Sequence, residues 1–296
     1  MNNKYAKVTK NQIETFILPL IPKNKRGFSC TFGMSEIVQF IIYKLKTGVQ
    51  WDCLFVDIEN VTPPFSWQLV YYYYRKWSKL GVFKGMFEMY LYLQKDKLDT
   101  ENLNLDGTHS YAKKSCESVG YQHRKKGKTS NVLIMTDGRG IPIAIGSVQS
   151  GNHNDLYQIV PEFSAMIKSL NRCGIVVENS MLNADKGFDS RKLRRACRRR
   201  NIEPNIKENN RNRKKPKRGK KRFFNENVYK RRFVNERTFA WLDSFKTLLV
   251  RFDKLDIILI KIICDLFSEI YGNCVARRQS TLLNHRNQIL YIENAL

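Results

Sequence analysis

Asn102-Leu103-Asn104-Leu105-Asp106-Gly107-Thr108-His109 is the stretch on which the fold turns. Leu103 and Leu105 alternate with Asn102 and Asn104, the period of two of a half-buried strand. Asp106-Gly107 reads as the turn that ends it, so the strand delivers one carboxylate to its tip. Met181-Leu182-Asn183-Ala184-Asp185 repeats the design further on, a short strand closing on an acid. Between them, residues 131–136 and 141–148 are two apolar runs joined by the hairpin turn Asp137-Gly138-Arg139-Gly140. Pro142 falls near the start of the second run, where a strand tolerates it.

The intervening and following segments are helical. Leu156, Ile159, Val160, Phe163, Met166, Ile167 and Leu170 form a stripe within residues 154–170. Asp189 is positioned to cap a basic helix that ends at Arg200, and residues 202–206 read as a last strand. A basic loop then leads to a helix spanning about 225–250. Three strands, then helix, strand, helix, strand and helix predict an α/β fold with a mixed sheet flanked by helices. In open sheets of this kind ligands gather beyond the strand ends, where Asp106 and Asp185 would lie.

Upstream the pattern is helical. Met34, Ile37, Val38, Ile41, Ile42 and Leu45 fall at helical spacing, and Thr47-Gly48 stops that helix. Ser66 is placed to cap a second helix, striped by Trp67, Val70, Tyr71, Tyr74 and Trp77, and residues 82–93 read as a third. The aromatic stripe is read as core, while Lys44, Lys46, Arg75, Lys76 and Lys79 are expected on the surface, able to touch phosphates. Three regions are expected: a small all-helical DNA-binding domain (1–98), a catalytic domain (99–255), and a helical or poorly defined tail (256–296).

The charge narrows the partner. The 296 residues carry 52 Lys+Arg against 27 Asp+Glu, a formal charge of +25. Residues 191–232 hold 20 Lys/Arg and 3 acids, a net +17, so most of the excess sits in one segment between two candidate site acids. That asymmetry favours a polyanion, most simply nucleic acid; an anionic membrane surface is the alternative, without a long basic amphipathic helix to support it. Seven scattered cysteines without a CxxC pair argue against a disulfide framework or a zinc finger. The N-terminus lacks the apolar core of a signal peptide, and the apolar run 257–267 is too short to span a bilayer. A protein of the reducing cytoplasm with no membrane partner is the expectation.

The proposed chemistry needs three acids: Asp106, Asp185 and Glu236. Cutting a phosphodiester requires an activated oxygen nucleophile and relief of phosphate charge, which two divalent ions about 4 Å apart can supply. Mg²⁺ accepts hard oxygen ligands and keeps several waters, so a few carboxylates suffice, provided rigid elements hold them against mutual repulsion. Each acid alone has a plainer reading: a turn at Asp106, a loop acid at Asp185, a surface Glu236 paired with Arg232. The final helix weighs against these. Tyr229, Arg232, Glu236 and Asp243, spaced by 3, 4 and 7, fall on one side of a continuous helix whose other face carries Phe239, Leu242, Phe245 and Leu249. Arg232 can bind a phosphate bidentately, and Tyr229 can donate to a phosphate or stack on a base.

Taken together these motifs resemble the DDE transposases of bacterial insertion sequences, in the insertion-sequence-five-like branch. The resemblance is carried by Leu105-Asp106-Gly107-Thr108-His109, by Asn183-Ala184-Asp185-Lys186-Gly187-Phe188-Asp189 and by Tyr229-x2-Arg232-x3-Glu236. Asp137-Gly138-Arg139-Gly140-Ile141-Pro142, Gly151-Asn152-His153-Asn154-Asp155 and Thr47-Gly48-Val49-Gln50-Trp51 also fit it. It implies a ribonuclease-H-like catalytic fold, two Mg²⁺ ions with Mn²⁺ able to substitute, and action on terminal inverted repeats and target DNA as a homodimer in a synaptic complex. By that implication Asp106, Asp185 and Glu236 hold the metals, and Tyr229 and Arg232 touch the DNA near the cut. Arg191, Arg195, Lys214 and Lys215 of the basic segment are expected on the DNA backbone. Asp243 departs from the family pattern, which has a non-acidic residue there, and Lys246 is the expected substitute for its phosphate contact. The tail beyond about residue 253 has no family pattern. A transposase that cleaves and joins DNA is the leading expectation; a decayed, non-cleaving DNA-binding remnant or repressor is the alternative, and a related nuclease acting on RNA or junctions the third.

Overall fold

A computed structural model describes residues 10–22, 32–55, 65–113, 116–209 and 222–252. Lys214, Lys215 and the tail 256–296 lie outside the described residues.

The chain opens with α1 (Lys10–Gln12), a π-helical turn (Ile13–Ile17) and a 3-10 turn (Leu18–Leu20), then three longer helices: α2 (Met34–Thr47), α3 (Trp67–Lys79) and α4 (Val82–Gln94). Their apolar stripes meet as the sequence spacing requires: Ile37 and Ile41, Val70, Tyr74 and Trp77, and Phe83 and Met86 are all buried in one core. Gly48 caps α2 at φ +71°, and a Cβ there would lie 3.0 Å from Lys246 Cβ, so backbone conformation and close packing both demand glycine. Ser66 stands at the N-cap of α3 but its side chain makes no capping bond. Lys44 departs from expectation: it is buried, with Nζ 5.4 Å from the Trp51 ring centroid, a cation–π contact that removes it from the phosphate-facing set. Arg75 and Lys79 are exposed as expected.

The sheet is built from β1 (Asn102–Ala112), β2 (Gly120–Gln122), β3 (Gly127–Thr136), β4 (Pro142–Ser150), β5 (Met181–Ala184), β6 (Glu203–Ile206) and β7 (Val250–Arg251). β3 runs antiparallel to β1, and β2 and β4 pair with β3, whereas β5 lies parallel to β1 and β6 parallel to β5. This is the mixed sheet expected from the order of elements. β1 does not turn at Asp106-Gly107. It continues through Ala112 because β3 pairs with it throughout, Asp106 opposite Ile134 and Gly107 opposite Leu133.

Three helix boundaries differ from expectation. The stripe over 154–170 becomes α5 (Ile159–Arg172), because Asn154 is used in a turn, its side chain accepting from Leu156 N and its carbonyl from Tyr157 N. α6 (Arg191–Arg198) is capped by Ser190 Oγ, which accepts from Leu193 N at 3.1 Å, not by Asp189. Asp189 instead accepts from Arg194 at 2.9 Å and Arg222 at 2.8 Å, pinning the returning end of the basic loop to α6. The final helix is broken into α7 (Glu226–Lys230), a 3-10 turn (Arg231–Phe233), α8 (Val234–Asp243) and α9 (Lys246–Leu249). Tyr229, Arg232, Glu236 and Asp243 lie on abutting helical elements whose joining residues all stay in the αR region, with one 3-10 turn between Tyr229 and Glu236 and the first extended residue at Phe245. Leu242 and Phe245 are buried, whereas Leu249 is exposed. Thr247 Oγ1 donates to the Leu45 carbonyl at 2.6 Å, tying α9 to α2 just before β7 joins the end of β1.

Candidate active site

The site follows from the register of two parallel strands. Leu105 opposite Ala184 is the last pair between β1 and β5. Asp106 and Asp185 are the next residues on each chain, at the point where neighbouring strands about 4.8 Å apart cease to pair. β7 meets β1 only at Tyr111 and Ala112, so among the described residues this edge of β1 is unpaired from Asp106 to Ser110. The open edge, rather than a turn, is what presents the carboxylate.

A row of buried amides lies beneath the acids. Thr136, Asn104, Asn183 and Asn205 are in register across β3, β1, β5 and β6. Asn183 donates to Asn104 Oδ1 at 3.3 Å, and Asn205 donates to Asn183 Oδ1 at 2.7 Å and to the Asn225 carbonyl at 3.0 Å. At the other end Thr136 Oγ1 donates to Asn235 Oδ1 at 2.7 Å. The ladder therefore grips both ends of segment 225–235, the N-cap of α7 and the first turn of α8. Asn104 and Asn183 each stand two residues before a site acid, so ladder and acids share a sheet face.

That grip brings Arg232 to Asp106. Arg232 Nη1 lies 2.6 Å from Asp106 Oδ2, with the Tyr229 ring 5.7 Å from the guanidinium. Burial raises the Asp106 carboxyl above its ordinary value; Arg232 and the Gly107 amide oppose this, while Asp185 and Asp155 add to it. Asp185 accepts from Gly187 N and caps the 3-10 turn Lys186–Phe188. Asp155, in the turn before α5, is likewise raised, chiefly by burial and further by Asp185, against an Asn131 hydrogen bond. His109, two residues beyond Asp106, is lowered to about 4 by burial and by Lys125 and Arg124, so its ring is neutral at physiological pH.

The expected residues separate as follows. Asp106, Asp185, Arg232 and Tyr229 are brought together. Glu236 lies one turn past Arg232 on α8, is exposed, and makes no hydrogen bond or ion pair among the described residues. Arg191 and Arg195 are exposed on α6, and Lys246 is exposed beside Gly48 at the junction of α9 with α2. Arg194, also in the basic segment, is buried against Asp189 and the carbonyls of Pro204 and Ile206. Asp155 was legible only as part of a motif without a role; its signal was an acid in Gly151-Asn152-His153-Asn154-Asp155.

The donor chemistry suits a hard divalent cation: carboxylate oxygens, an open strand edge and little competing sulfur or imidazole. Among the described residues no three His, Cys, Asp or Glu side chains stand close enough to hold one ion as placed.

Comparison with known proteins agrees with the motifs. The model of the transposase DDE domain matches residues 98–264. The protein assigned as transposase for insertion sequence element IS402 in Burkholderia cepacia is 34% identical over 123 residues, 41% of this chain and 52% of that protein. The chain thus spans about half the length of the curated relative it matches. A Mos1 transposase paired-end complex with left transposon end aligns over 85% of this chain and 81% of that one, at 12% identity and a TM-score of 0.27. A pre-cleavage Mos1 transpososome aligns over 86% and 82%, at 12% identity and 0.29. Scores that low carry no argument, and the fold assignment rests on the sheet itself. The domain match covers more than half of the chain, and the chain belongs to the DDE-domain transposase family.

Proposed function

We propose that this chain is the transposase of a bacterial insertion sequence, which binds the element's terminal inverted repeats, cuts the DNA there and joins the freed ends to target DNA. One observation carries the reading: Asp106 and Asp185 follow the last β1–β5 pair side by side, with Arg232 held against Asp106. Asp106 and Asp185, joined by Glu236 from α8, would hold divalent ions, Mg²⁺ with Mn²⁺ able to substitute. When bound, those ions supply charge neutralisation at the phosphate and an activated oxygen nucleophile.

The chain's own residues position the DNA. Arg232 exchanges its carboxylate partner for a phosphate, for which its planar fork is equally suited. Tyr229, half-buried beside it, offers a ring face to a base or a hydroxyl to a phosphate oxygen. Arg191 and Arg195, together with Lys214 and Lys215, run along the backbone, and Lys246 adds a contact near the helical N-terminal unit. Residues 1–98 form a DNA-binding unit and 99–255 the catalytic unit of a homodimer acting in a synaptic complex. Among the described residues no helix is long and apolar enough to cross a membrane, and we place the protein with the nucleoid in the cytoplasm.

A strand-cleavage assay on the element's own ends tests this, with Mg²⁺ and then with EDTA. Cleavage that requires the metal and disappears in D106N, D185N and E236Q supports the reading; cleavage surviving any of the three removes that acid from the site. The exposed Glu236, without a hydrogen bond or ion pair among the described residues, favours a second reading, a transposase-derived protein that binds ends without cutting them. End-specific binding with no cleavage under any divalent metal would decide for it.

A further inference from the structure

The hairpin that joins β2 to β3 has no part in the reading above, yet its tip is built as a cationic surface. From Ser118 to Thr136 the chain carries Arg124, Lys125, Lys126 and Lys128 and no acid. Arg124, Lys126 and Lys128 are exposed, and none of the three forms an ion pair among the described residues. The 3-10 turn His123–Lys125 leads into Lys126, which sits in the left-handed region at φ +50°. Glycine adopts that conformation freely and lysine does not.

The tip is held in place. Tyr111 OH donates to the Lys125 carbonyl at 3.1 Å, and its ring lies across the turn, where a Cβ at Gly127 would come within 2.9 Å of Tyr111 Cε1. Lys125 Nζ donates to the His109 carbonyl at 3.3 Å, so this cation fixes the tip and the other three are left toward solvent. Register relates the tip to the site. Asp106 stands opposite Ile134, and Lys128 lies six residues earlier on β3 (134 minus 128), an even step that puts it on the Asp106 face of the sheet. Tyr121, 47% exposed, pairs with Lys128 and shares that face, its ring edge-on to His123 at 5.2 Å. At about 3.3 Å per residue those six positions span about 20 Å, or about six base pairs of duplex at about 3.4 Å each.

We infer that this hairpin is a further clamp on double-stranded DNA, in which Arg124, Lys126 and Lys128 hold phosphates about six base pairs from the one at Arg232 and Tyr121 adds a hydroxyl donor. Charge complementarity selects the occupant: three cations without acidic partners, beside an exposed phenol on the Asp106 face, match a phosphate backbone. Contacts of this kind fix the register of the duplex and read no sequence. The inference rests on the reading of the Asp106 face as the place where DNA is cut.

Binding of the full chain to a duplex carrying the element's end and its flank tests this, in EDTA and again in Ca²⁺, so that activity is not the readout. The variants are the triple R124Q/K126Q/K128Q and K126G alone. The triple variant should lower the log–log salt slope by about 2.7, about 0.9 for each lost phosphate contact, and K126G by about 0.9. K126G should also melt at least as high as the wild type, because glycine relieves the left-handed turn, so its weaker binding would not come from a damaged fold. Ethylation of phosphates about six base pairs from the cut should interfere with binding of the wild type and not of the triple variant. Wild-type slopes in both variants overturn the inference, as does an interference pattern unchanged in the triple variant. No end-specific binding by the wild-type chain under either condition overturns the reading beneath it.

Discussion

Replacing Arg232 by Ala isolates the contact that joins the final segment to the sheet. Arg232 Nη1 and Asp106 Oδ2 are 2.6 Å apart, and the side chains are 24% and 26% exposed. In a medium of effective dielectric about 20, two unit charges at that distance attract by about 6 kcal/mol. Desolvation of both ions and screening at a partly exposed site cancel most of this, leaving about 2 kcal/mol, in the range of a charge-assisted hydrogen bond. The loss depends on pH in a definite sense. Burial already raises the Asp106 carboxyl above 3.8, and Arg232 opposes that rise; without Arg232 the carboxyl is driven higher. A raised carboxyl favours the fold below its unfolded value and penalises it as pH climbs through the folded value. The R232A deficit should therefore be near zero below pH 3.8 and grow to about 2 kcal/mol at neutral pH. Urea unfolding followed by tryptophan fluorescence across that range measures it, and R232K should fall between wild type and R232A because it keeps the charge but not the fork. A deficit independent of pH, or a variant more stable than wild type at neutral pH, would refute the argument.

Three further outcomes are expected. N183A breaks the buried ladder between Asn104 and Asn205, and should cost about 1–3 kcal/mol in urea unfolding while speeding amide exchange across residues 225–235; unchanged exchange there would mean the ladder does not hold the segment. His109 should remain neutral in a nitrogen NMR titration until pH falls to about 4, and the stability it lends should be lost as pH drops from 6.5 through that value; a ring that protonates near 6.5 would show that burial and its basic neighbours do not act as placed. R191A and R195A should each reduce the log–log salt slope of DNA binding by about 0.9, one phosphate's worth of counterion release. An unchanged slope would place these exposed arginines off the DNA.

The parts of this fold legible in the sequence are those written as local pattern. The period of two around Leu103 and Leu105, the Asp137-Gly138 turn and the helical stripes of α2, α3 and α5 all appear where the spacing places them. The motif resemblance is borne out by the domain match. What escaped depends on contacts between distant segments. Asp106-Gly107 has turn chemistry, yet pairing with β3 keeps the strand going, and the open edge comes from where β5 departs. Asn104 reads as the polar side of a half-buried strand; it is 2% exposed and its neighbour Asn183 1%, because a hydrogen-bonded amide row is buried as readily as an apolar one. Periodicity alone cannot separate those two cases. Apolar spacing also continues smoothly through residues 225–250, but the helix tightens to a 3-10 turn where Arg232 meets Asp106, and it ends at Phe245, which is extended. Asp155 carries no pattern of its own, and its place beside Gly107 and Gly187 appears only once β1, β5 and the turn before α5 are assembled.

If the ends of β1 and β5 gather carboxylates that hold divalent ions, an ion bound there marks its own position. Iron-directed cleavage of the polypeptide tests it most directly: Fe²⁺ replaces Mg²⁺, and peroxide with ascorbate cuts the backbone beside wherever the ion sits. Cuts should cluster around Asp106 and Asp185, be suppressed by excess Mg²⁺ and be absent from D106N and D185N. Cuts confined to other segments, or cuts at these strand ends that persist in both variants, would contradict it.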